Sequence, residues 1–403
     1  MPNASRLNDK IKQRDFKLNA LLALTQAINA NHTEEELLFQ FQSMVETHLG
    51  VQRLALYILR DGWQCVLHYG DSEQFPFEIP HADFFKKNKG LAFSEGNSEG
   101  VFDVVIPVTH NNEPMAVLLA GDTENDTLGI SPAVKHMNFL QTLTSVLAVA
   151  LDNKRLVQDM LQQERLKKEL ELAAEIQMML LPSSFPKNKH WDVQGIYRAH
   201  QQVGGDYYDV FPISDHEWVF CMGDVSGKGM PAAFLMSNFQ AYVRNAFEGN
   251  HPNLVHLANR LNERVWNAVQ GEKFITFFLA VYNAENKHLH YVNCGHNPPV
   301  FKRDERFAQW KATSVGLGMF PDLPFVSSVE VQLESGDALV CYTDGLVEID
   351  NAQGEAFEID GIINHFQGKT SKDVIGNIEA GVNAFRGEEN FNDDVAIMSM
   401  IWH

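Results

Sequence analysis

The chain has 403 residues, 32 basic and 52 acidic side chains, a formal charge of −20 and a hydrophobic fraction of 45%. That length suits two or three domains, and that hydrophobicity excludes global disorder. So acidic a surface repels nucleic acid and anionic membrane, and it accepts an anionic substrate only where metal ions or local basic groups reverse the field.

The four cysteines, Cys65, Cys221, Cys294 and Cys341, lie far apart and form no C-x-x-C pair. Zinc ribbons and redox motifs are therefore unsupported, and buried thiols of a reducing compartment are expected. Residues 1–10 are polar with no signal-peptide core, and the apolar run 143–151 is too short to span a bilayer. The expectation is a soluble cytoplasmic protein that binds neither nucleic acid nor membrane.

From about 15 to 30, Phe16, Leu18, Leu21, Leu22, Leu24 and Ile28 predict a helix with a wide apolar stripe. Thr33-Glu34-Glu35-Glu36 is a capping sequence opening a second helix, which runs to 48 and ends at Gly50. Residues 54–59 and 63–68 predict strands around an Asp61-Gly62 turn. A second pair, 101–108 and 114–120, is joined by His110-Asn111-Asn112. Ser131-Pro132 opens a long helix. This order over 18–153, after an N-terminal segment 1–17, resembles a GAF domain, a sensor module with an antiparallel sheet and flanking helices. The resemblance implies a site for a small ligand or an activating protein, whose identity the residues leave open. Asn88-Lys89 and Phe93 follow the pattern of cyclic-nucleotide-binding members, but Asn97-Ser98 stand where those carry acids, which argues against a cyclic nucleotide.

Residues 152–181 contain no glycine or proline, and 153–181 carry five basic and five acidic side chains. Leu166, Leu170, Ala173, Gln177 and Leu180 follow 4-3-4-3 spacing. We read 154–181 as a linker helix with a short coiled-coil seam, which implies a homodimer because such a seam must be buried against something. Pro182 ends it.

Beyond 182 strands dominate: 218–222, 274–283, 288–294, 329–333, 338–343 and 395–402, with 284–287 as a hairpin loop. Helices at 231–247 and 252–269 each open on a proline. The pattern predicts an α+β sandwich over 182–403 rather than regular βαβ units.

Five short motifs in this region carry the chemistry. They are Gly204-Gly205-Asp206-Tyr207-Tyr208-Asp209, Gly223-Asp224-Val225-Ser226-Gly227-Lys228-Gly229, Cys294-Gly295-His296-Asn297-Pro298, Tyr342-Thr343-Asp344-Gly345 and Asn392-Asp393-Asp394. Asp224 and Asp344 end apolar strands, where a carboxylate is costly unless a cation pairs with it. Oxygen ligands without cysteine favour magnesium or manganese over zinc. Two such ions polarise a phosphoryl group and activate water for in-line attack. Gly223 to Lys228 is one residue short of a P-loop, and Ser226 is not in a G-x-S-x-G elbow.

Together with Glu175-Ile176-Gln177, Leu181-Pro182 and Pro231-Ala232-Ala233, these motifs occur in the order of the PPM-type metal-dependent serine/threonine phosphatases, and the chain resembles their bacterial SpoIIE and RsbU branch. The resemblance implies an α/β/β/α sandwich with two Mn2+ or Mg2+ ions. It also implies a phosphorylated protein substrate, a STAS-fold anti-sigma-factor antagonist. By residue-wise carry-over, Asp224 bridges the ions with the Val225 carbonyl, while Asp206, Asp344 and one of Asp393 and Asp394, preferably Asp393, hold the second. Asp224 and Asp206 are thereby the catalytic pair. Gly205, Asp209, Lys228, His296 and Gly345 are candidates for phosphate contact or for supporting the ligand loops, with His296 also readable as a loop anchor. Cys294 and Ala396 depart from the branch pattern without removing a carboxylate. The alternative function is a sensor-scaffold whose phosphatase-like domain only binds a partner; the intact carboxylates argue against it.

Overall fold

A computed structural model describes residues 2–70, 92–93, 102–110, 113–122, 131–186, 189–200, 202–249 and 251–403. The chain divides into two compact units, Met1–Glu164 and Arg165–His403.

In the first unit, helix α1 (Pro2–Asn29) begins well before the expected position near 15 and takes in the segment 1–17. It stops at Asn31, whose φ of 57° is left-handed. Helix α2 (Glu34–Ser43) opens with the expected capping box: Thr33 Oγ1 accepts from Glu36 N at 3.2 Å and Glu36 Oε2 accepts from Thr33 N at 2.7 Å. A π-helical turn, Met44–His48, follows. Strands β1 (Arg53–Leu59), β2 (Trp63–Tyr69), β3 (Ala92–Phe93), β4 (Val104–His110) and β5 (Glu113–Gly121) form an antiparallel sheet in the order β2-β1-β5-β4-β3. Ser131 caps the short helix α3 (Pro132–Lys135), and α4 (Met137–Met178) begins after it. Leu24, Phe41, Leu54, Leu56, Ile106, Leu118, Leu143 and Leu147 form the core between helices and sheet. Of the cyclic-nucleotide signature positions, Phe93 lies in β3, while Asn88, Lys89, Asn97 and Ser98 lie outside the described residues.

The second unit holds two five-stranded antiparallel sheets. One has the order β13-β10-β9-β8-β7, from β7 (Tyr207–Pro212), β8 (Glu217–Val225), β9 (Ile275–Asn283), β10 (His288–Cys294) and β13 (Val329–Gln332). The other has the order β12-β11-β14-β15-β6, from β6 (Trp191–Arg198), β11 (Val300–Arg303), β12 (Arg306–Gln309), β14 (Ala338–Tyr342) and β15 (Val395–Trp402). Helices α5 (Met230–Ala246) and α6 (Leu254–Val269) cover the first sheet. After the single turn α7 (Asp344–Val347), α8 (Glu358–His365) and α9 (Ser371–Arg386) pack on the second. The result is the expected α/β/β/α layering.

The two cores explain why β14 and β15 are apolar throughout. Leu339, Cys341, Met398, Met400 and Trp402 enter the inter-sheet core, whereas Val340, Tyr342, Val395 and Ile397 face the core beneath α8 and α9. Sequence patterning missed α8, α9, β6, β7, β11 and β12. Of these, β12 is exposed at every position and α9 carries Gly376 and Gly381, so neither shows a strong periodic signal. Pro252 lies just outside α6, whose cap is Asn253. All four cysteines are free. Among the described residues no helix is long and apolar enough to cross a membrane.

Candidate metal centre

Each acidic motif sits where a strand begins or ends. Asp224 is the penultimate residue of β8, paired with Thr276 of β9. The chain then turns through Gly227 and Gly229, both at positive φ, and enters α5 at Met230. Asp206 immediately precedes β7, Asp344 opens α7, and the Asp393-Asp394 pair precedes β15. Both sheets thus deliver carboxylates to one place.

Hydrogen bonds tie the loops together. Asp206 is 2% exposed, and its Oδ2 accepts from Thr343 Oγ1 at 2.7 Å. Thr343 Oγ1 in turn accepts from Ala396 N at 2.9 Å. Asp394 Oδ1 accepts from His200 N at 2.8 Å, and its Oδ2 accepts from Gly205 N at 2.9 Å. Asp393 Oδ1 accepts from Asp394 N at 2.8 Å, while its Oδ2 meets Lys228 Nζ at 2.8 Å. Lys228 also donates to the Asn392 carbonyl at 2.7 Å, so it tethers the loop before β15.

The close approaches demand glycine. A Cβ on Gly205 would lie 2.9 Å from the Val225 carbonyl oxygen and 3.4 Å from Asp224 Oδ1, filling the space those two oxygens face. A Cβ on Gly345 would collide with the Asp394 carbonyl.

The crowd of like charges shows in the acidities. Burial, then the charge of Asp344, pushes the Asp224 carboxyl up to about 7. Burial, then Asp224, raises Asp206 well above the usual carboxylate range. Asp344 is raised by burial and then by Glu348 and Asp393, and Asp394 by burial. Lys228, paired with Asp393, cannot neutralise such a group. An all-oxygen donor set with a carbonyl beside it, in a space a methyl group would fill, fits hard divalent cations.

Two predicted residues stand elsewhere. Asp209 is fully buried on β7, and its carboxylate is taken up by Arg244 of α5, with Nε–Oδ2 at 2.7 Å and Nη2–Oδ1 at 2.8 Å, and by the Tyr207 hydroxyl at 3.0 Å. It supports the β7–α5 packing rather than the carboxylate cluster. His296 is 2% exposed, with Nδ1 2.9 Å from Thr276 Oγ1 and its backbone N donating to Asn293 Oδ1 at 2.8 Å. Burial drives its pKa down to about 3, so it stays neutral and serves as a loop anchor, not as an acid.

Three contributors had no site role in the sequence reading, although Gln177 and Thr343 lie in motifs quoted there. Thr343 lay inside a motif already noted, and its position before Asp344 was the available signal. Tyr197 of β6 carries a buried hydroxyl raised by burial and then by Asp394, and no sequence pattern marks it. Gln177 was assigned to a helix seam; instead its Nε2 donates to the Gly204 carbonyl at 2.6 Å and its Oε1 accepts from Gly204 N at 3.1 Å. The end of α4 is thereby clamped to the loop carrying Asp206, and Gln177 is buried within its own unit. The helix ends at Met178, short of the expected 181.

Parts of the chain are similar to known proteins. Residues 214–403 match the family model of Stage II sporulation protein E, SpoIIE. The chain is 31% identical over 222 residues to the phosphoserine phosphatase RsbU of Bacillus subtilis strain 168, covering 54% of this chain and 65% of RsbU. It is 32% identical over 187 residues to the phosphoserine phosphatase RsbP of the same organism, covering 45% of this chain and 46% of RsbP. The chain thus spans less than two thirds of either relative. The solved SiaA-PP2C domain of Pseudomonas aeruginosa is similar with a TM-score of 0.52 at 18% identity, covering 60% of this chain and 99% of that domain. The C-terminal unit therefore has a PP2C-like fold.

Proposed function

We propose that residues 182–403 form a metal-dependent phosphatase that hydrolyses phosphoserine or phosphothreonine on a protein. The observation that carries this reading is the meeting of Asp206, Asp344 and Asp393 from both sheets at Asp224, which faces the same space as the Val225 carbonyl. Asp224 and that carbonyl would hold two Mg2+ or Mn2+ ions jointly, with Asp206, Asp344 and Asp393 completing one of them. Both oxygens of Asp394 accept from backbone N–H groups, and both of Asp393 are engaged by Asp394 N and Lys228, so the preference for Asp393 as the direct ligand rests on the resemblance. When bound, such ions supply polarisation of the phosphoryl group and a water of lowered pKa. The N-terminus of the 17-residue helix α5, reached from Asp224 through Gly229, favours the substrate's anionic group, and Lys228 adds positive charge.

The relatives RsbU and RsbP are named phosphoserine phosphatases, and the substrate we assign here is a phosphorylated STAS-fold anti-sigma-factor antagonist. The test is release of phosphate from such a protein with Mn2+. Turnover that survives a chelator would overturn the reading.

The first unit is the sensor in this account: a GAF-like module whose small ligand or activating protein acts through α4. The clamp between Gln177 and Gly204 is the physical link, because it joins that helix to the Asp206 loop. A protein of residues 182–403 lacks Gln177 and is expected to lose the response to activator; an unchanged response would refute the link. Leu156, Met160, Leu161, Leu166, Leu172 and Ile176 are exposed on α4, which supports a homodimer formed by this helix. Sedimentation of Leu166→Gln should show weakened self-association, and an unaltered dimer would remove the helix from the interface.

A further inference from the structure

At the opposite end of the first sheet from Asp224, two histidines and a glutamate come together. Strand β8 runs from Glu217 to Val225, and Glu217 pairs with Asn283, which pairs with His288. His288 and His290 are two residues apart on β10, so both imidazoles project from one face of the sheet, while Leu289 between them is buried in the core. On the edge strand β13, Glu330 stands directly opposite His290, and His288 stands opposite Gln332. Glu330 therefore sits between the two rings. Its Oε1 lies 3.0 Å from His290 Nε2 and also contacts His288 Nδ1. The three ligand atoms all lie within 4.8 Å of one another.

The backbone beneath them is fastened by hydrogen bonds. Lys287, at φ 59°, closes the β9–β10 turn, and its carbonyl accepts from Leu333 N at 2.9 Å. Gln332 Nε2 donates to the Asn286 carbonyl at 2.9 Å. The β10–β13 ladder is thus fastened at the end where the imidazoles stand.

We propose that His288, His290 and Glu330 form a surface site for a borderline transition-metal ion such as Zn2+, Ni2+ or Cu2+, which clips the edge strand β13 to β10. Two imidazoles and one carboxylate select these ions over Mg2+, which prefers oxygen donors and keeps its waters. Zinc–nitrogen and zinc–oxygen bonds of about 2.0–2.2 Å put neighbouring ligand atoms about 3.3 Å apart in a tetrahedron, which small side-chain rotations reach from the present spacing. Three protein ligands leave one position for water, since His288, His290 and Glu330 are 36%, 49% and 51% exposed at the side chain.

The experiment is a Cu2+ titration of the chelator-stripped full chain in excess Mg2+, followed by electron paramagnetic resonance and calorimetry. One tight equivalent is expected, with nitrogen hyperfine structure from two imidazoles. His290→Ala and Glu330→Gln should each weaken that equivalent at least tenfold with an unchanged circular-dichroism spectrum, and Asp224→Asn should leave it intact. Zn2+ should compete for the same equivalent. Equal binding by wild type and His290→Ala, or a signal without two nitrogen ligands, would overturn the site.

Discussion

Asp206 and Asp209 share one glycine-led motif and do different work. Asp206 precedes β7 and faces the other carboxylates, whereas Asp209 lies within the strand and answers the guanidinium of Arg244. Arg244 also stacks over Phe211, with its guanidinium carbon 5.0 Å from the ring centre. Removing the cation leaves a buried carboxylate uncompensated. Arg244→Met should therefore destabilise the unit by about 3 kcal/mol in denaturant titration. Metal affinity should change little; a large loss of metal affinity without loss of stability would move Asp209 into the metal site. Sequence alone showed Asp224 and Asp344 at strand ends, because an apolar run that stops on Asp is visible, but it missed β7 and so the split between Asp206 and Asp209. It did not show Arg244, which is 35 residues away on a helix.

At the scale of elements, the foot of α4 is the informative piece. A heptad-like spacing suggested that Gln177 belongs to a seam, but spacing records only which residues share a face, not what covers it. The structure buries Gln177 against Gly204 and leaves Leu172 and Ile176 exposed. A cleft of about 650 Å3 beside the foot is lined by Met178, Leu181, Pro182, Tyr197 and Tyr208 among others. Tyr197 contributes to that cleft and also stands beside Asp394, so the element borders the metal loops twice. Gln177→Ala strands the N–H and C=O of Gly204, a local cost of about 1–3 kcal/mol. That cost should appear as an apparent Mn2+ affinity lowered about tenfold, with a small change in melting temperature. Wild-type metal dependence in this variant would show that the clamp is only packing. The sheet order was not legible, because antiparallel strands such as β6 and β15 pair across almost the whole unit.

For the whole molecule, the gathered carboxylates make stability depend on pH and metal together. Carboxyls that titrate near 3.8 when unfolded are raised in the fold, Asp224 to about 7 and Asp206 well above the usual carboxylate range. A raised folded-state pKa contributes stability that is complete below the unfolded value and is lost as pH rises through the folded one. His296 acts in the opposite sense, its stabilisation falling away below its ordinary 6.5. Between pH 6.5 and 8.5 the carboxylates therefore dominate. Metal-free protein should melt a few degrees lower at pH 8.5 than at 6.5, and added Mg2+ should restore the loss. Equal melting temperatures at both values, without metal, would show that the acids are not crowded as described. On the proposed function, Asp224 organises ions for phosphate hydrolysis. The most direct test of this role is paired calorimetry and turnover on wild type and Asp224→Asn with Mn2+ and a phosphoserine protein. The account predicts that the variant loses tight metal binding and at least a thousandfold in turnover while staying folded; undiminished turnover in Asp224→Asn would contradict it.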